Sequence, residues 1–353
     1  MGSTYGNNFQ FAIFGESHAA AVGGVLSGVP AGIEIDFGII NFELRRRNHR
    51  ASYSTPRDEQ DKYEVLSGIT GGITTGSPIA FIIRNSDTKS RHYDEMKSKM
   101  RPGHADYPAF VKHHGFNDIR GGGHFSGRLT APLVFAGGIA RQLIKNVKIV
   151  SHIQSIGDIA GDSLLEKTVS DGDITRLNNS MFPVLNDGLK EKMLAEITKY
   201  QSEGNSVGGV IECLIYGLDA GIGEPFFNSV ESEIASLMFS IPAIKGIEFG
   251  KGFDITKMCG FDANDKYYFD GDQVKIRTNN NGGITGGLTN GMPVCFRVAV
   301  KPTPSVSIEQ DTIDVTTKTN TKLTVTGRHD ACIVPRAAAA VEAAAALAIL
   351  NLL

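Results

Sequence analysis

The chain has 353 residues, with 35 Lys and Arg against 38 Asp and Glu, and its net charge of −3 excludes the broad basic surface of a dedicated nucleic-acid binder. Charged residues at 21% and apolar residues at 41% are globular proportions that exclude a disordered or fibrous chain. The 41 glycines exceed the roughly 7% usual in proteins, so many backbone positions need a positive φ or a close approach.

The opening MGSTYGNNFQFAIFGESHAA has no basic stretch, and its apolar run breaks at Gly15-Glu16, so a signal peptide is not expected. Strands flank the turn from Gly28 to Gly32. A helix is predicted over Phe37 to Arg47 behind the N-cap Asp36, followed by strands over Val65 to Ile69 and Ile79 to Ile83. Next come a short helix after residues 101–106, a triple-glycine loop at 121–123, a helix from Ala131 to Ile144 and a strand from Val147 to Ile153. A helix then runs from Gly188 to Gln201 behind Asn186, and Ser229 caps another through about Phe239. Pro335 opens a final Ala-rich helix containing Glu342, which reads as a buried helix because a membrane span needs about 20 strongly apolar residues.

The fragment GGITTGSPIAF at 71–81 returns as GGLTNGMPVCF at 286–296, and VGGVLSGVPAGI at 22–33 has a looser echo at 207–222. The second copy has gained roughly thirty residues between these landmarks, the pattern of a duplicated α/β unit over about 22–83 and 207–298 rather than of a solenoid. No Pro/Ser-rich linker interrupts the chain, so one domain over 1–353 is expected. Cys213, Cys259, Cys295 and Cys332 are far apart with no CxxC, which fits buried thiols in a reducing compartment such as the cytoplasm.

Four loops at the ends of apolar segments each carry a histidine. Ser17-His18 follows the strand FAIF, His104 lies within Arg101 to Asp106, His124 and Ser126 follow the three glycines, and Arg328-His329-Asp330 follows LTVT. Solvated loop histidines are the plain alternative; a general acid working near neutral pH is the functional one. Arg45, Arg46, Arg47, Arg50 and Arg57 crowd one stretch of an acidic chain. A basic helix end complements the helix dipole. With Arg101, Arg128, Arg328 and Arg336 also in loops, a site for a small polyanion explains them better. The glycine loop offers N–H groups to a phosphate, but no P-loop ending, GxGxxG, HExxH or GxSxG is present. Metal ligation by His104, His113 and His114 lacks the required spacing.

GESHA at 15–19, RPGHADY at 101–107, GGG at 121–123 with Ser126 and Arg128, GGITGG at 282–287, KPTPS at 301–305 and GRHD at 327–330 run in order over almost the whole chain, and together the sequence resembles chorismate synthase. The resemblance implies a β-α-β sandwich of α/β class, a homotetramer, and a 1,4-anti elimination of phosphate from 5-enolpyruvylshikimate 3-phosphate with reduced FMN that is not consumed. It implies His104 as the acid for the leaving phosphate, His18 with Ser17 at the reduced flavin, and Asp330 and Ser126 as groups that orient the flavin and relay a proton. Arg46, Arg50, Arg101, Arg128 and Arg328 would hold substrate anions. His124, Phe125, Ser126, Pro242, Ala243, Gly286, Lys301, Pro302, Thr303, Pro304, Ser305 and Arg328 would line the flavin.

The chain departs from the family pattern at His124 and Phe125, where Arg and Ser are usual, and at Ser52, Pro242 and Ala19. The family is associated with NADP, but no NAD(P)H fingerprint or spare domain is visible, so an external flavin reductant is expected. Other classes fit the same charges: a flavin-independent phosphatase or lyase on a phosphorylated sugar, or a binding protein for anionic metabolites.

Overall fold

Runs of Val, Ile and Phe with inward and outward alternation form the strands, and glycine turns reverse them. The computed structural model describes residues 2–51, 60–86, 98–167, 169–325 and 330–353. The chain begins with β1 (Thr4–Tyr5), β2 (Gln10–Gly15) and β3 (Ala21–Ser27), passes through α1 (Phe37–Arg47), and returns along β4 (Tyr63–Val65). The hairpin of β5 (Ile69–Thr70) and β6 (Ile73–Thr74) then leads into β7 (Ile79–Arg84). These strands form an antiparallel sheet in the order β1-β2-β3-β7-β4. After α2 (Asp106–Lys112) and α3 (Thr130–Leu143) come β8 (Lys148–Ile156), β9 (Ile159–Ala160), α4 (Asp171–Asn178) and α5 (Asp187–Ser202).

The next stretch comprises β10 (Gly209–Tyr216), α6 (Val230–Ser240), β11 (Ile244–Phe249), α7 (Gly260–Ala263) and the hairpin of β12 (Tyr267–Asp270) and β13 (Gln273–Ile276). A second small hairpin, β14 (Ile284–Thr285) and β15 (Leu288–Thr289), precedes β16 (Val294–Val300). The hairpin of β17 (Gln310–Asp314) and β18 (Thr319–Leu323) and the helix α8 (Val334–Leu352) complete the chain, and the second sheet runs β11-β16-β10-β8-β9.

The strands β2, β3, β7 and β4 follow the same spatial order as β8, β10, β16 and β11. In each set a helix follows the second strand, a small hairpin precedes the strand that pairs with it, and a long helix, α3 or α8, comes last. The repeated glycine motif occupies the two hairpin turns, where Gly71-Gly72 (φ 58° and 83°) and Gly286-Gly287 (φ 64° and 88°) both lie in the left-handed region that such turns require. The extra residues of the second set carry α7 and the β12–β13 hairpin. This correspondence supports a duplicated unit.

The helix α3 packs on the first sheet, α8 packs on the second, and the two helices pack on each other, making an α/β sandwich with helices inside. Gly137 shows why α8 is so rich in alanine: a methyl there would sit 2.3 Å from Ala343 Cβ, so only small residues allow this approach. One core joins side chains from both sheets and from the helices between them. The helix Val334–Leu352 is long and apolar enough to cross a membrane, yet 78% of its apolar window is buried inside the protein.

Sequence and structure agree on the span of α1, where Asp36 Oδ1 accepts from Gly38 N at 2.7 Å, and on the caps Asn186 and Ser229. The single strand predicted over Val65 to Ile69 is broken, because Gly68 turns the chain at φ +84°, where any added Cβ would lie 2.6 Å from the Ile79 α-carbon. The helix α4, with its Ser170–Asp173 capping box, has no counterpart among the predicted elements. Three cysteines are buried, but Cys259 is exposed.

At the centre of the helical layer three buried charges, Glu43, Arg46 and Glu342, meet the half-buried Arg141. Arg46 donates to Glu342 at 2.7 and 2.9 Å and to Glu43 at 2.9 Å, Arg141 bridges the same two carboxylates at 2.8 and 3.0 Å, and Ser151 donates to Glu342 at 2.6 Å. Burial opposes the charge of Glu342, but Arg46 and Arg141 outweigh it and hold the carboxyl well below the usual carboxylate range.

Candidate active site

The loops that follow β2, α2's lead-in and β16 all open at one end of the sandwich, beside the first turn of α8 and the last turn of α6. Together they enclose a cleft of about 1240 Å³. That volume exceeds the usual range for a single small ligand, about 300–1,000 Å³, and gives room for two.

Two of the four loop histidines meet across the triple glycine. A methyl on Gly121 would lie 2.3 Å from the His18 ring and 2.7 Å from Ser17 Oγ, and one on Gly122 would lie 3.1 Å from His104 Nε2. Both glycines have positive φ, 59° and 88°. Consecutive left-handed glycines therefore let the loop pass flush against two imidazoles, which no side chain would permit. Ser17 N–H donates to Gly123 O at 3.0 Å, and His124 Nδ1 donates to Gly15 O at 2.8 Å, stitching the loops together. Ser17 is fully buried behind the loop and is not part of the cleft lining, and its hydroxyl has no partner among the described residues. Ser126 caps the short helical turn that places Arg128 in the wall, and Phe125 is partly exposed beside it.

Cations dominate the lining: Arg47, Arg101, Arg128, Lys245, Lys301 and Arg336 face it, and among the described residues Asp330 is the single carboxylate there. Most of these are positioned by acidic partners. Asp61, at φ +45°, receives Arg47 Nε at 3.0 Å and also Arg128, while Arg128 Nε donates to Asn85 Oδ1 at 2.8 Å. Burial works against the Asp61 charge, but the two guanidiniums prevail and hold its carboxyl below the ordinary range. Asp330 pairs with Arg336 at 2.8 Å, and Arg336 also donates to Arg47 O at 3.0 Å. Lys301 Nζ donates to Gly103 O, and its pKa is lowered by burial and then by Lys245.

Several expected residues fall elsewhere. Arg46 does not face the cleft: it is 2% exposed and committed to Glu43 and Glu342. At 3.6 residues per turn, Arg46 and Arg47 point about 100° apart, and it is Arg47 that reaches the wall. Arg50 is exposed and outside the lining. Arg336 belongs to the first turn of α8 rather than to a loop. Gly286 sits exposed at the β14–β15 turn and Pro302 is exposed against Gly208, both off the cleft. Arg328, with His329, Ser52 and Arg57, lies outside the described residues. His18, His104, His124, Phe125, Ser126, Pro242, Ala243, Lys301, Thr303, Pro304, Ser305 and Asp330 line the cleft together. Lys245 in the wall, and Asp61 and Asn85 behind it, shape the site with no signal in the sequence. For Arg47 the only signal was its place in the arginine run.

The donor set fits a flavin. Thr303 Oγ1 is buried in the wall with no partner among the described residues, Ser17 Oγ is similarly unmatched just behind the lining, and the glycine cradle would be filled by any Cβ. Ala243, at φ +78°, keeps its carbonyl engaged by Lys301 N at 2.9 Å and so fixes the loop of Pro242 beside Lys245.

A family model for chorismate synthase matches residues 9–353. The chain is 46% identical over 357 aligned positions to the chorismate synthase of Dehalococcoides mccartyi, covering 100% of this chain and 96% of that protein. It is 41% identical to the chorismate synthase of Thermococcus kodakarensis, covering 98% and 95%. A crystal structure of chorismate synthase superimposes with a TM-score of 0.77 at 28% identity, covering 99% of this chain and 92% of that one. The chain belongs to the chorismate synthase family, carbon–oxygen lyases that release phosphate from 5-enolpyruvylshikimate 3-phosphate to give chorismate.

Proposed function

We propose that this cleft performs the elimination with reduced FMN, His104 acting on the leaving phosphate. The observation that carries the reading is the convergence of His18, His104 and six cations on one cleft of a chain whose net charge is −3. The substrate bears two carboxylates and a phosphate, which suit Arg47, Arg101, Arg128 and Arg336, already oriented by Asp61, Asp106 and Asp330. The reaction is redox neutral: phosphate leaves with the electron pair of its C–O bond, and a proton is lost from the far end of the allylic system. When bound, reduced FMN would supply electron density to that system without net oxidation. His124, Phe125, Ser126, Ala243, Lys301, Thr303 and Ser305 would hold it, with His18 and Ser17 at its edge. The Gly121–Gly123 loop excludes bulk from between the histidines, and His104 donates a proton to the departing oxygen while the guanidiniums offset its negative charge.

An external reductant, a cytoplasmic setting and a homotetramer complete the proposal. The adjacent, exposed rings of Phe226 and Phe227 offer an apolar surface on which a second copy could pack. Mixing protein, substrate and FMN under argon should shift the flavin absorbance. An unchanged spectrum would favour the flavin-independent phosphatase or the anion-binding protein instead.

A further inference from the structure

We propose that Asp106 is a positioning residue for His104: its carboxylate pairs with the imidazole at Nδ1, favours the ring that carries its proton there, and so commits Nε2 to the reacting side. The inference rests on the reading of His104 as the acid for the leaving phosphate.

Asp106 is the first residue of α2 and is 8% exposed, and its Oδ1 lies 2.7 Å from His104 Nδ1. Arg101 Nη2 approaches the same nitrogen at 3.3 Å, but a guanidinium only donates. Nδ1 cannot both accept from Arg101 and donate to Asp106, and the shorter contact to an ionised acceptor prevails. Arg101 is instead a second anchor for the carboxylate: Nε reaches Oδ2 at 2.7 Å, Nη2 reaches Oδ1 at 2.8 Å, and the Arg101 N–H reaches Oδ2 at 3.1 Å. Burial alone would push the Asp106 carboxyl up, but hydrogen bonds from His104 and Arg101 outweigh it and keep the group ionised. On the other side of the ring, Nε2 runs beside Gly122. The imidazole is thus held from both sides, with Nε2 left for the cleft. A carboxylate on the far nitrogen selects the tautomer of a catalytic histidine and stabilises its protonated form, and an amide in its place selects the wrong one.

The test uses the full-length protein with 15N-labelled histidine. In the native protein the neutral His104 ring is expected to carry its proton on Nδ1, and in Asp106→Asn the Nε2–H form should gain population. A native ring protonated on Nε2 would overturn the proposal even if the variant fails to fold. In kinetics, Asp106→Asn should lower kcat by roughly 10² or more, and the alkaline limb of its pH–rate profile should move to lower pH. Arg101→Lys should chiefly raise KM and leave the tautomer unchanged. In a His104→Ala background, Asp106→Asn should add no further loss of kcat. A fully additive loss would contradict action through His104. Near-normal turnover of His104→Ala alone would instead defeat the reading of His104 itself, whatever the tautomer proves to be.

Discussion

His104→Ala should lower turnover by roughly 10² to 10⁴, the range for removing a positioned general acid, while the folded protein melts near the native temperature. The ring is 16% exposed at its side chain and contributes little to the core, so its loss should show in chemistry rather than stability. The deficit should shrink at low pH. A phosphate group takes up a second proton near pH 6, so below that point the leaving group carries the proton His104 would have given. His18→Ala should behave differently, because His18 packs on Gly121 and Ser17 rather than on the Arg101–Asp106 pair. Its loss should alter the spectrum of bound reduced FMN, with no rescue by acid. Both variants would be followed by melting, pH–rate profile and reduced-flavin spectrum. Near-normal turnover and normal spectra in both would return them to the class of loop histidines.

The second large effect concerns stability. Arg46→Ala should cost about 3–5 kcal/mol of folding free energy, because it removes one partner of a buried pair and leaves Glu342 and Glu43 sharing Arg141. Substrate affinity of the protein that remains folded should stay near native. Arg47→Ala, one residue on, should weaken substrate binding by about 1.5–3 kcal/mol, the usual worth of a charge-assisted hydrogen bond. It should also loosen Arg128, since both guanidiniums share Asp61. Chemical denaturation and substrate titration on the two variants separate the roles. A native-like stability for Arg46→Ala together with lost binding would put Arg46 back in the site.

The contrast between these neighbours shows where the sequence is informative and where it falls short. The span and cap of α1 were legible because Asp36, the apolar spacing and the basic end all act within one helix. Which arginine faces the cleft depends on α8, almost 300 residues away, where Glu342 draws Arg46 inward. A cue was present, since Glu43 stands three residues before Arg46 and could pair with it on the same face. Asp61 and Asn85 had no comparable signal: each looks like an ordinary loop or strand-end residue until tertiary packing brings it to Arg128. The break of the predicted strand at Gly68 likewise depends on Ile79 lying across it. The motifs GESHA, RPGHAD, GGG and KPTPS were legible because each is a short loop with its unusual residues close together in sequence, and each brings at least one residue to the cleft. Gly286 and Pro302, members of motifs of the same kind, are turned away because a motif does not say which side of its loop meets the cleft.

The most direct test is an assay of this protein with 5-enolpyruvylshikimate 3-phosphate, run with dithionite-reduced FMN under argon, with oxidised FMN in air, and under argon with no flavin, following chorismate absorbance and phosphate release together. The cleft offers no CxxC or metal cluster among the described residues as another electron donor. Chorismate and phosphate should therefore appear in equal amounts with reduced FMN and in neither of the other two reactions. Phosphate released without chorismate, or chorismate formed at the same rate without any reductant, would contradict it.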